Sequence, residues 1–361
     1  MPRENRVLFV QERSRRAGAQ VSLSRLVTQS SLRELRPHVL LGSTGWLSQY
    51  LDEASVPNSI APWPSPRSLK ARLGGIDRFA RQTVNTLKAG GITPRAIIAN
   101  DHQECLPALA LARAAGGVPV IAILRTPGMT RRDFEKYQCA ECDHLFARGH
   151  DLSERANQWS DAGISCMLGS VSEEDRLVAP EVSPSFPTRV LVVGSEEPRK
   201  GFQDFLEALR IAETTESGFP ALEVVFTCEK AGDPELLTRS GFRSRFEFAG
   251  RVEGFRDFAK DFQFAIHPSR AETFGMAPFE LILAGVPTML SCTGEASSLP
   301  VEEPWIFPPE SPRTLAEHLI RLWKNWSDTR PDMPMLQNRI LEAYPVSASA
   351  NALAAKVTEL A

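Results

Sequence analysis

The sequence predicts an α/β protein built of two doubly wound parallel-sheet domains facing each other across a cleft. Three observations carry this expectation. At 361 residues the chain is long for one hydrophobic core and comfortable for two. Short apolar runs alternate with segments of helical period in both halves, which is the pattern of strand-helix-strand crossovers rather than of hairpins. Between the halves, the stretch Val171 to Pro187 is acidic and proline-rich with no hydrophobic period, and it reads as an interdomain linker. A hydrophobic content of 42% with 24% charged residues excludes disordered and fibrous classes.

In order along the first half, Arg6 to Val10 reads as a strand. The loop Arg13 to Gln20 then leads into a helix with Val21, Leu23, Leu26 and Val27 on one face. A glycine turn with basic residues between strand and helix can cradle a phosphate, although such loops are more often plain connections. His38 to Leu41 is a second strand, and a helix follows around Trp46 to Ala54. Pro57 to Pro66 is expected to be a loop, and Leu69 to Leu87 shows helical spacing with Lys70, Arg72, Arg78, Arg81 and Lys88 on the other face. A basic amphipathic helix suits an anionic membrane surface; a surface helix with its apolar stripe in the core is the commoner case. Arg95 to Ala99 runs as a strand into Asn100-Asp101-His102-Gln103, followed by the helix Leu106 to Ala115. Val118 to Leu124 is the next strand and ends at Arg125. Two consecutive parallel strands therefore deliver Asp101, His102 and Arg125 to one sheet edge. Asp143 to Ala147 is a further strand and Ser153 to Trp159 a helix.

The second half opens with the strand Arg189 to Val193, the turn Gly194 to Gly201, and a helix bearing Phe202, Phe205, Leu206, Leu209 and Ile211. Arg199 and Lys200 sit just before that helix. A basic pair there opposes the helix dipole, so a purely structural role is unattractive, whereas a bound diphosphate would need both charges. Leu222 to Thr227, Phe246 to Ala249 and Phe264 to Ile266 are strands. After the last comes the loop Glu272-Thr273-Phe274-Gly275-Met276. A short helix then has Pro278 in its first turn and ends at Gly285, before the strand Val286 to Leu290. The helix N-terminus makes that loop suited to an anionic or hydroxyl-rich ligand, and Gly275 lets backbone approach it closely. Glu272 and Glu280 bracket the loop and can reach one crevice at the carboxyl end of the strand. A lone pair of this spacing more often only complements a dipole. The loop Thr293 to Ala296, a helix Leu315 to Trp326 and a final amphipathic helix Ser347 to Leu360 complete the chain.

The carboxylate pair is not alone. Pro268-Ser269, Glu272, Phe274-Gly275, Glu280, Ala284-Gly285 and Pro287, in this order, resemble the donor-site signature of family 4 glycosyltransferases. These are retaining enzymes with the B-type glycosyltransferase fold of two Rossmann-like domains. The resemblance is strongest from about Val190 to Leu322. It implies an acceptor-side domain over 1–180, a nucleotide-sugar domain over 181–345, and a last helix over 346–361 that crosses back to the first domain. It further implies that Glu272 orients the donor sugar, that the amides of Thr273, Phe274, Gly275 and Met276 hold sugar and diphosphate, and that Glu280 binds the ribose. By the same resemblance Lys200 and Arg199 neutralise the diphosphate, Gly18 approaches the donor phosphates, and Asp101, His102 and Arg125 line the acceptor side. Glu272, Lys200 and His102 would carry catalysis. The chain departs from the family pattern at Ala17-Gly18, where two glycines are common, and at Ser195, which takes the place of an Arg. It departs again at Arg125, where a second His is frequent and where a cation suits an anionic acceptor. Gly250-Arg251 keeps a family-like turn.

The implied reaction is transfer from a UDP- or GDP-linked sugar to a hydroxyl of a glycan or glycolipid, in cell-surface polysaccharide or lipopolysaccharide biosynthesis. No Asp-x-Asp motif is present, which fits metal-independent transfer without a cofactor. On the same fold, a nucleotide-sugar epimerase, a sugar phosphorylase or a non-catalytic nucleotide-sugar binding subunit are the alternatives. The net charge of -3 conceals fourteen Lys/Arg against six Asp/Glu in residues 1–88. This basic half favours a phosphate-bearing substrate or peripheral contact with the inner face of the membrane, and no nucleic-acid motif accompanies it. Six scattered cysteines and an N-terminal segment without a signal-type apolar region give the expectation of a cytoplasmic protein with reduced thiols. Cys139 and Cys142 form a CxxC with no second pair, so neither metal nor redox use is expected.

Overall fold

The computed structural model describes residues 4–65, 68, 74–160, 163–178, 183–194, 197–228, 241–250, 252 and 254–361. They fall into two compact units, Met1–Ser170 with Tyr344–Ala361, and Val171–Ala343.

The first unit is a seven-stranded sheet of β1 (Glu4–Gln11), β2 (Pro37–Leu41), β3 (Asn58–Ile60), β4 (Ile92–Ala99), β5 (Val120–Leu124), β6 (His144–Arg148) and β7 (Ile164–Met167). Its order is β3-β2-β1-β4-β5-β6-β7 and every pairing is parallel. Val7 to Val10, Ala96 to Ala99 and Val120 to Leu124 are buried without a break, because helices cover both faces. On one face, helices Ile76–Ala89 and Cys105–Ala115 pack Phe79, Val84, Ala108 and Leu111 onto Leu8, Val10 and Ile97. On the other, helices Gly18–Val27, Trp46–Glu53 and Val346–Leu360 pack Leu23, Leu47, Ala350 and Leu353 onto Val7, Phe9 and Ile98. The strand order reverses between β1 and β4, so the crevice beyond their carboxyl ends is the natural ligand position.

One sequence expectation is corrected in this unit. The proline-rich stretch holds a three-residue edge strand, β3, which pairs in parallel with Val39–Leu41 and stops before Pro62. The basic helix is described from Ile76 onward, with Leu69 to Leu73 outside the described residues. Its stripe of Phe79, Ala80, Thr83, Val84 and Leu87 is buried, while Arg78, Arg81 and Lys88 are exposed. Over its described residues the helix is therefore the commoner case, a surface helix with its apolar stripe in the core, and it lends no support to a membrane contact. No helix among the described residues is long and apolar enough to cross a membrane.

The second unit is a six-stranded parallel sheet of β8 (Arg189–Val192), β9 (Glu223–Phe226), β10 (Arg245–Phe248), β11 (Ala265–His267), β12 (Thr288–Ser291) and β13 (Ile306–Phe307), in the order β10-β9-β8-β11-β12-β13. Its reversal lies between β8 and β11. Helices Phe202–Thr215 and Pro312–Lys324 cover one face around Phe205, Phe226 and Leu319. Helix Met276–Leu283 covers the other, with Leu281 against Leu191 and Val225. A helix the sequence did not announce, Met333–Ala343, packs on this second face. The expected linker is also partly structured: Leu177 N–H donates to Leu283 O at 2.8 Å, and Arg256 donates to Glu174 O at 2.7 Å. Ser195 and Arg251 lie outside the described residues.

Candidate active site

In the second unit, the site begins where β8 and β11 end. The chain leaves β8, makes a short turn over Pro198–Lys200, and enters its helix through Gly201 at φ 68°. A Cβ on Gly201 would lie 1.8 Å from Pro268 O, so only glycine lets the two loops close up. Further bonds lock them. Arg270 N–H donates to Arg199 O at 2.6 Å, Ser269 Oγ lies 3.1 Å from the same carbonyl, and the Arg270 guanidinium forks onto Asp204 at 2.6 and 2.7 Å.

This stitching brings Lys200 to Glu272. Lys200 Nζ donates to Glu272 Oε1 at 2.5 Å, Ser269 Oγ donates to it at 2.9 Å, and His267 Nε2 stands 3.5 Å away. Arg199 approaches the other carboxylate oxygen at 3.9 Å. Burial alone would push the Glu272 carboxyl up. The His267 ring and the Lys200 ammonium outweigh it and hold the group well below the usual carboxylate range. His267 is buried and its pKa is lowered by that burial, so at neutral pH it faces Glu272 uncharged.

The loop beyond Glu272 turns through Gly275 at φ 81° into helix Met276–Leu283. The Phe274 ring is buried and stacks on Phe279 at 4.7 Å, so that side chain fixes the loop. Thr273 is buried and Met276 half-buried. A third loop braces them: a Cβ on Gly294 would fall 2.8 Å from Thr273 O, and Glu295 N–H donates to Phe274 O at 3.1 Å. Glu280 is half-buried in the same helix. At the far end of that helix Gln337 donates to Ile282 O and Leu283 O at 3.2 and 3.0 Å.

In the first unit, the ends of β1, β4 and β5 meet in a polar network. Asp101 Oδ1 accepts from His102 N–H at 2.8 Å, His102 Nδ1 at 2.9 Å and Arg125 N–H at 3.0 Å, and Oδ2 accepts from Thr126 at 2.8 Å. Burial works against the Asp101 anion, but the His102 and Thr126 bonds prevail and lower its pKa. The His102 ring is buried edge-on to Tyr137 at 5.0 Å. Arg125 is buried, its Nε donating to Asn100 O at 2.7 Å and its NH1 to Ser22 Oγ at 2.9 Å. Burial lowers its pKa to about 10, so it stays charged. Its guanidinium is thus engaged inside the unit. Gly18 begins helix Gly18–Val27 at an exposed position where an added Cβ would meet nothing within 4 Å.

The structure thus gathers Lys200, Arg199 and Glu272, with Thr273 to Met276 following, in one unit, and Asp101, His102 and Arg125 in the other. Sequence reasoning missed the supporting residues His267, Gln11, Asn100 and Glu104. A histidine at the very end of a buried strand, one residue before the site loop, was the available signal for His267.

Residues 187–325 match the family model described as Glycosyl transferases group 1. No curated protein matches the chain in sequence. Among solved structures, Anabaena Alr3699/HepE in complex with UDP and glucose superposes with a TM-score of 0.77 at 16% identity, covering 98% of this chain and 99% of that one. The lipopolysaccharide outer core galactosyltransferase WaaB in its apo form gives 0.72 at 17% identity, over 98% and 100% of the two chains. Sucrose-phosphate synthase from Thermosynechococcus elongatus gives 0.70 at 14% identity, over 98% and 99%. At these identities the likeness establishes the B-type glycosyltransferase fold.

Proposed function

The chain carries a group 1 glycosyltransferase domain over residues 187–325, and from that premise we propose that it is a retaining, metal-independent enzyme. It moves a sugar from a nucleotide-diphosphate donor to a hydroxyl of a glycan or glycolipid, in the cytoplasm, for a cell-surface polysaccharide or lipopolysaccharide. The observation that carries this reading is the Lys200–Glu272 pair at the strand reversal of the second sheet, directly before a helix N-terminus.

The chemistry follows from what each group has left to offer. An ammonium has three N–H donors. One Lys200 donor goes to Glu272, so others remain for the phosphate that departs as the sugar leaves, with Arg199 and the amides of Thr273 to Met276 beside it. Glu272 remains an anion and accepts hydrogen bonds from donor-sugar hydroxyls. Glu280 takes the ribose, and Gly18 leaves open backbone for the donor phosphates. On the acceptor side, Asp101 fixes His102 through Nδ1, so Nε2 is the nitrogen that meets a hydroxyl. Arg125 holds Asn100 and the Asp101 turn in place rather than meeting an anion directly. That HepE has been solved with UDP and glucose and with UDP-glucose, and that WaaB is a lipopolysaccharide galactosyltransferase, favours a UDP donor and the cell-surface pathway.

The test is a thermal-shift panel of UDP, GDP and their sugars, run in chelator and again in magnesium, followed by NMR of the product anomer. A ligand at a hundred times its Kd stabilises by about 2.7 kcal/mol. Stabilisation in chelator by one nucleotide diphosphate, with retained anomeric configuration in the product, is the expected result. A flat panel with no nucleotide released toward any acceptor would overturn the proposal.

A further inference from the structure

Beneath the β1 loop lies a carboxyl group that the proposed mechanism does not use. Glu104 is buried in the turn that follows β4. Its Oε1 accepts from Gln11 Nε2 and from the Glu12 backbone N–H, each at 3.2 Å, and Gln11 in turn accepts from Asn100 Nδ2 at 2.5 Å. Its Oε2 is buried and has no hydrogen-bond partner among the described residues. The charged and titratable groups around it are Asp101 and His102 on the same turn, Glu12 just beyond β1, and Arg125 just beyond β5. Asp101 is already the anion there, and the Arg125 guanidinium donates to Asn100 and Ser22. A second buried carboxylate without a donor on one oxygen would be unfavourable, so the proton stays on.

We infer that Glu104 is a positioning residue that holds the Glu12–Ala17 loop, and hence Gly18, through Gln11 and the Glu12 amide, and that it does so in its neutral form. Loss of the proton sets a further anion beside the Asp101 and Glu12 carboxylates and loosens the loop at alkaline pH. Burial, followed by the Asp101 charge, raises the group to about 8, which locates the change. The link to catalysis rests on the proposed transferase reading; the protonation itself does not.

Glu104→Gln keeps the acceptor oxygen and replaces the titrating oxygen by a group that cannot lose its proton, and three readouts in the full-length protein separate the possibilities. Thermal unfolding from pH 4.5 to 9.5 should show the gap between Glu104→Gln and the parent changing in favour of the glutamine up to about pH 8 and level thereafter. No change in that gap would mean that Glu104 is ionised throughout, which overturns the inference. Amide hydrogen exchange over residues 12–19 should rise in the parent relative to Glu104→Gln through pH 8; identical curves would overturn the positioning role. With a donor in hand, kcat/KM of the parent should fall by roughly tenfold or more between pH 7 and 9.5, while the ratio for Glu104→Gln stays near one. Parallel profiles would again overturn it. If the first two results hold and no donor is ever turned over, the transferase reading fails and the inference about Glu104 stands.

Discussion

Lys200 and Glu272 neutralise one another in a site where each is also expected to meet substrate, and that double duty separates their variants. Lys200→Ala removes the closest cation from a carboxylate whose side chain is only 9% exposed. Breaking such a pair leaves a buried charge uncompensated, at a cost on the order of 3–5 kcal/mol for fully buried pairs and less here because Lys200 is partly exposed. Stability should therefore fall, and kcat should fall further, by roughly a hundredfold or more, since the lost donor acts mainly on the departing phosphate. Steady-state kinetics beside a melting curve distinguishes the two, and full activity in a folded Lys200→Ala enzyme would remove the diphosphate assignment. Glu280 lies one helical stretch further on and has no part in that pair. Glu280→Ala should raise the donor KM with a milder effect on kcat, as expected for a contact made equally in ground and transition states. Equal losses in kcat and kcat/KM would assign it to the reacting centre instead.

Loops and helices hold these residues, and two glycines show how differently a small residue can serve. At Gly201 the backbone is left-handed and a Cβ would collide with Pro268 O, so Gly201→Ala must shift the two loops that carry Lys200 and Glu272. Destabilisation by on the order of 2 kcal/mol or more, with weakened donor binding, is the expected outcome in melting and titration experiments. Gly18 has open space around it, so Gly18→Ala should melt with the parent, and any rise in donor KM would report phosphate approach to that backbone. The element from Ala265 to Ser291 was legible because strand, glycine turn, early proline and closing glycine each leave a local mark. Strand β3 was not: Asn58-Ser59-Ile60 has no apolar run and owes its conformation to Val39–Leu41 alongside it. Strands β7 and β13 are too short to show a period of their own, and helix Met333–Ala343 packs on a helix distant in the chain, so these too were missed. Among site residues, charged side chains next to glycine turns were readable. Glu104 was not, because a burial that depends on tertiary packing gives a carboxylate no signature in the sequence, whereas His267 ends a buried strand one residue before the site loop and could have been read from that position.

At the scale of the whole molecule, the titrating groups set opposing limbs on stability. His38, His144, His267 and His318 all have pKa values lowered by burial, His38 to about 4. In the unfolded chain they take up protons near 6.5, so the stability they contribute is present above that value and is lost as pH falls from it. Glu272 and Asp101 act in the same direction at lower pH: their lowered values give stability above 4.5 and 3.8 that protonation removes. Glu104 has the opposite sign. Its raised value means that the folded state keeps a proton which the unfolded chain has already released, so its contribution is complete below 4.5 and declines until about pH 8. Cys105, raised by hydrogen bonding to Cys139 and Cys142 and by burial, extends that decline above its unfolded value of 9.0. One proton difference changes stability by about 1.4 kcal/mol per pH unit. Below pH 6.5 four histidines oppose one glutamate, and above it the glutamate acts alone, so the melting temperature should peak between about pH 6 and 7 and fall more gently on the alkaline side. Melting curves across pH 4 to 10 test this directly. Their decisive feature is the slope between pH 7 and 8, which Glu104→Gln should flatten; because the glutamate opposes the histidines from 4.5 upward, the same substitution should steepen the acid limb between about pH 4.5 and 6.5 and leave it unchanged only below that, where the Glu272 and Asp101 carboxylates titrate.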